Sequence, residues 1–74
     1  MNGHGLGAFW SWFRPAPRAW YALLIVSPRG ALWSGPEWLT DNGAQQWQAN
    51  GVGDNWDSQV SLYRHDGVNW QLSQ

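Results

Sequence analysis

Tyr21–Val26 is the one continuous apolar run of the chain. It is long enough for a buried strand and too short for an independent helix, and it predicts a strand covered on both faces. Ser27-Pro28-Arg29-Gly30 follows with turn chemistry: proline presets φ, and glycine takes the dihedral that lets the chain reverse. A shorter strand, Ala31–Ser34, should return alongside the first, with Gly35–Leu39 as a short connection. Near the start, Leu6, Phe9, Trp10 and Phe13 fall at i, i+3, i+4 and i+7, the stripe of one helical face. Arg14-Pro15 should end that segment, because the residue before proline is pushed out of the α region. Pro15-Ala16-Pro17 then reads as a stiff, extended spacer.

The middle of the chain carries two competing signals. In the first, Thr40 is an N-cap, Asp41 puts negative charge on the first turn, and Leu39 and Ala44 occupy staple positions. Asn50-Gly51 would then stop the helix, leaving Val52–Trp56 as a loop. In the second, Asn42-Gly43 is the two-residue turn of a hairpin that places Trp38 opposite Trp47. The helix is preferred because it uses signals at both ends. Leu39-Thr40-Asp41-Asn42-Gly43 also resembles the start of helices that flank the wing in winged-helix proteins. The resemblance covers five residues, and no three-helix core precedes them.

The last segment alternates: Val60 and Leu62 with Ser61 and Tyr63, then Val68, Trp70 and Leu72 with Asn69, Gln71 and Ser73. A two-residue Asp66-Gly67 loop would pair Leu72 with Ser61 and Gln71 with Leu62, mixing polar and apolar on each face. A three-residue loop, His65-Asp66-Gly67 with Gly67 left-handed, pairs Val60 with Leu72, Leu62 with Trp70 and Arg64 with Val68. That register gives one apolar face and is the expected one. The fold class is therefore α+β: a small antiparallel sheet of about four strands with one helix, in ββαββ order, plus an aromatic N-terminal arm. With a hairpin in the middle, the chain would instead be an all-β meander or SH3-like barrel. The expected division is an arm and spacer over 1–18 and a globular domain over 19–74.

Composition sharpens this picture. A chain of 74 residues buries a thin core, about 60% of its unfolded surface. It has no cysteine with which to staple that core, so disulfides and thiolate metal sites are excluded. It has eight tryptophans instead, each able to bury about 200 Å². Most of them are expected to supply the core; the alternative is that several form a binding face, since that is more ring surface than a thin core hides. Net charge is −1 and the cations are Arg14, Arg18, Arg29 and Arg64. They form no basic stripe, which argues against DNA or other phosphate-tracking partners. No membrane span or secretory leader is expected, since Arg14, Pro15, Pro17 and Arg18 interrupt the apolar start.

Candidates for chemistry are few. His4 and His65 lack metal-ligand spacing, Asp54, Asn55 and Asp57 lack a calcium-loop pattern, and His65-Asp66 sits at an exposed hairpin tip. No serine lies in an elbow motif, and Gly3, Gly5 and Gly7 precede no strand, so they make no phosphate cradle. The expectation is a protein without catalytic residues, metal or cofactor. Interfaces favour Trp, Tyr and Arg over Lys and Glu, a bias this chain shares. The functional expectation is thus a protein–protein interaction or structural module. A small subunit of a larger assembly, such as a virion or other particle component, or a small protein inhibitor would fit, in the cytoplasm or on the particle. Leu6, Phe9, Trp10, Trp12, Phe13 and Arg14 are its candidate partner-binding residues. Trp38, Trp47 and Trp56 with Asp54 and Asn55 are a second candidate set. They belong to the alternative of a carbohydrate-binding module that lays Trp faces against sugar rings, with Asn69 adding a hydrogen-bonding side chain.

Overall fold

The computed structural model describes residues 14–74. Strands β1 (Arg18–Ser27) and β2 (Gly30–Thr40) lead into helix α1 (Asp41–Asp54), which is followed by β3 (Gln59–His65) and β4 (Trp70–Leu72). The four strands form one antiparallel sheet in the order β2-β1-β3-β4, open at both edges and not closed into a barrel. The ββαββ order expected from the sequence is the observed one, and the all-β alternatives fall. α1 carries the chain from the β2 edge across β1 to β3. β1, which contains the apolar run, lies inside the sheet and is paired on both sides.

Thr40 caps α1 as its position predicts. Its hydroxyl oxygen accepts from the Gly43 amide at 3.0 Å, satisfying one of the four unpaired N–H groups of a helix start. The helix does not stop at Asn50-Gly51, however, and Val52–Asp54 belong to it, not to a loop. The stop is Asn55. Its backbone amide reaches back to the Gly51 and Val52 carbonyls, and its side-chain amide donates to Gly51 O at 2.8 Å. Asparagine one turn later thus outcompetes the Asn-Gly pair by adding a side-chain bond to its backbone ones. α1 lays Ala44 and Trp47 on one sheet face, where Ala19, Tyr21, Leu23, Val60 and Leu62 form the core with Ile25 and Leu39 at its margin. Gln48 ties the helix down, donating to the carbonyls of Val60 (3.0 Å) and Gln74 (3.1 Å).

Two strands differ from expectation. β2 does not end at Ser34: Gly35–Leu39 continue it to Thr40 through a bulge. Leu23 pairs with Ser34 and Tyr21 with Glu37, so Ala22 alone faces both Gly35 and Pro36, joined by a cis peptide bond. Gly35 takes φ +101°, a conformation open to glycine, so the residues that looked like a terminator are a kink.

The final hairpin has Gly67 at positive φ (+101°), but not the expected register. Tyr63 pairs with Leu72, Arg64 with Gln71 and His65 with Trp70, so Asp66–Asn69 form a four-residue loop and Val68 lies outside the strand. The Asp66 carboxylate organises this loop. One oxygen accepts from the Val68 and Asn69 amides, both at 2.8 Å, and the other from the Gln71 side chain at 2.6 Å. Asp66 N also donates to Asn69 O at 3.0 Å. Local aspartate bonding, not segregation of apolar faces, fixed the register. Past β4 the ladder bulges: Ser73 and Gln74 both donate to the Leu62 carbonyl (2.7 and 3.2 Å), while the Leu62 amide donates to Gln74 O (2.7 Å).

Candidate docking surface

A four-stranded sheet has two faces, and α1 covers one. Side chains alternate along β1, so Ala19, Tyr21 and Leu23 point into the helix-covered core, while Trp20, Ala22, Leu24 and Val26 point the other way. Pairing extends that second face across the sheet. Trp20 faces Trp38, Leu24 faces Trp33, Ala22 faces Tyr63, and the His65–Trp70 and Tyr63–Leu72 pairs complete it. Ala22 is buried among its neighbours on this face, whereas Trp20, Trp33, Trp38, Trp70, Val26 and Leu72 are all exposed. The apolar run is therefore not a strand buried on both faces.

The β2 bulge is what assembles the aromatic set. Trp33 and Trp38 are five residues apart, an odd spacing that places side chains on opposite faces of a regular strand. The extra residue at Gly35-Pro36 reverses the parity and returns both indoles to the open face. The rings then pair. Trp20 and Trp38 tilt against each other with centroids 5.2 Å apart, Trp33 meets Tyr63 edge-on at 5.1 Å, and His65 meets Trp70 edge-on at 5.1 Å. These are favourable quadrupole geometries, each adding about 0.5–1.5 kcal/mol beyond burial.

Between the ring pairs lies a cup of about 500 Å³, lined by Ala22, Trp33, Ser34, Gly35, Pro36, Tyr63 and Trp70. The small Ala22 side chain leaves room for it, and its lining carries no charged residue. Arg18 stands at one corner of the face, its guanidinium donating to the Trp38 carbonyl at 3.3 Å. Among the described residues, the titrating group with a displaced pKa is Asp66, in the hairpin loop. Hydrogen bonds from the Asn69 and Val68 amides hold its carboxyl below the usual aspartate range against an opposing desolvation, and His65 and Gln71 add to the lowering.

The residues singled out from sequence fall in several places. Leu6, Phe9, Trp10, Trp12 and Phe13 lie outside the described residues, and Arg14 is exposed ahead of β1. Trp38 is on the open face, Trp47 packs against the core on the opposite face, and Trp56 is 90% exposed in the α1–β3 loop. Asp54 ends α1 and Asn55 caps it. The fold does not bring these five together. Sequence reasoning missed Trp20, Trp33, Tyr63 and Trp70 as one surface. The alternation that could have revealed them was masked by a run apolar at every position. Among the described residues no group of three or more His, Asp or Glu side chains is placed to hold a metal ion, and no helix is long and apolar enough to cross a membrane. No protein-family model, curated protein or solved structure matches the chain.

Proposed function

We propose that this protein is a non-catalytic docking module that binds protein through the open face of its sheet. One observation carries the reading: four tryptophans, Trp20, Trp33, Trp38 and Trp70, share the sheet face opposite α1 and are all exposed. A contiguous apolar patch of this kind marks an interaction site on a small domain. Tryptophan is also the side chain most enriched among residues that dominate binding energy. A sugar site is the weaker reading. Of the cup's lining, Ser34 pairs with Leu23 and so turns toward the helix side, which leaves the Tyr63 phenol, too little for aligning several sugar hydroxyls.

The test is a photo-crosslinking amino acid placed at Trp33 and, as a control, at Gln45 on the exposed side of α1. Irradiation in the native cell should give protein adducts from position 33 and none from 45. Adducts from neither position, or equally from both, would remove the open face as a docking surface.

A further inference from the structure

We infer that the protein docked on this face is a second copy of the same chain, face to face across a two-fold axis. In this arrangement the Trp20–Trp38 pair of each copy enters the other's Trp33–Tyr63–Trp70 cup. The inference rests on the docking reading above and names its partner. Its first support is area. The half-exposed indoles together with Val26 and Leu72 leave on the order of 600 Å² open per copy, since a tryptophan carries up to about 250 Å². A stable interface takes about 800 Å² per partner, so the apolar face with its rim is the size a dimer needs.

The second support is self-complementarity. A two-fold interface requires that where residue i meets j, j also meets i, so one surface must carry both a projection and a matching recess. Here the half-exposed Trp20–Trp38 pair is the group to be covered, and the cup lined by Ala22 is the recess. Trp20 and Ala22 are two residues apart on one strand, about 7 Å. A two-fold axis lying between the stacked faces, running across the strands and midway between these residues, places each Trp20 over the partner's Ala22. At about 500 Å³ the cup is within the range that takes a small ligand, and it accommodates indole rings.

Charge and edges favour the same pairing. The strand registers place no carboxylate among the face's side chains, and its one guanidinium, Arg18, is at a corner and already bonded to Trp38 O. Two copies thus meet without like charges opposed at the centre. The sheet edges are poor alternatives. β2 is interrupted by the Gly35-Pro36 bulge, and β4 has three residues before its own bulge. Proline, bulges and short edge strands all block edge-to-edge addition.

The experiment is sedimentation equilibrium of the full chain from about 1 to 200 μM, with a photo-crosslinker at Trp38. A dimer is expected, with crosslinks mapping to residues 33–36, 63 or 70 of the second copy. Trp38→Glu and Trp20→Gln should each weaken it about thirtyfold or more, as for residues central to an interface. Their thermal unfolding should stay cooperative, and Trp56→Glu, off the face, should leave the dimer intact. A dimer that survives both face variants overturns the inference. So does a monomer at all concentrations whose Trp38 crosslinks run to residues 1–13 of its own chain. A monomer whose position 38 couples in the cell to a different protein overturns self-pairing and leaves the docking reading standing. Absence of any protein adduct removes both.

Discussion

At the scale of single residues, Gly35 shows how a local conformation decides the placement of distant side chains. Its φ of +101° is open to glycine and closed to most others. A Cβ there would come within 2.9 Å of the Trp47 ring, 3.2 Å of Tyr21 O and 3.3 Å of Glu37 N. Gly35→Ala should therefore destabilise by about 2–4 kcal/mol, strain and crowding together, read as a fall in the urea midpoint. A midpoint within error of the wild type would show that the bulge relaxes without cost. Neighbouring leucines give a sharper contrast. Leu23 and Leu62 are almost wholly buried and face each other across β1 and β3, whereas Leu24 lies half-buried on the open face. Leu23→Ala should cost about 2–5 kcal/mol, enough to unfold much of a domain this small. Leu24→Ala should cost clearly less, because its methyl groups leave no closed cavity. Equal losses at the two positions, measured at dilutions where the protein is monomeric, would mean that the chain itself covers the open face. The sequence offered no way to rank the two, since both sit in one apolar run and only the helix tells the faces apart.

At the scale of elements, the parts of the fold legible in the sequence were those governed by local chemistry acting alone. Thr40 followed by Asp41 announced α1, Pro28-Arg29 announced the first hairpin, and the apolar run announced the inner strand. The parts that were not legible are places where two local signals compete. Asn50-Gly51 competed with Asn55 for the helix end, and apolar segregation competed with Asp66 bonding for the last turn. The Asp66 loop makes a testable pH statement. Hydrogen bonds from the Asn69 and Val68 amides lower the folded-state carboxyl below its ordinary value. A depressed acid contributes stability that is present above its unfolded value and lost as pH falls through the folded one. The advantage of the wild type over Asp66→Ala should therefore be complete at neutral pH and vanish in strong acid. Thermal melts of both proteins across that range would show it. A pH-independent difference would assign the loop's order to backbone geometry instead of to the carboxylate.

At the scale of the whole molecule, the one helix and four strands of the described residues leave an imbalance. α1 is 14 residues long and covers one side of the sheet, so the remaining aromatic side chains have a face of their own. Sequence composition revealed the surplus of tryptophan but not its location, because placing it requires both the β2 bulge and the side on which the helix packs. The character of that face predicts how association responds to salt. Arg18 is its one formal charge, and it sits at a corner. Surface charge interactions are screened within about 8–10 Å at moderate ionic strength, and binding to a phosphate backbone weakens steeply as salt rises. Association through Trp20, Trp33, Trp38 and Trp70 should do neither. The dimer constant should change by less than about twofold between 0.05 and 0.5 M sodium chloride, since screening has little charge to act on. Sulfate should strengthen it, because excluded salts favour burial of apolar surface. A single-stranded oligonucleotide should not compete. A tenfold loss of association over the same chloride range would show that charge holds the partners together and that the tryptophan face is not the contact.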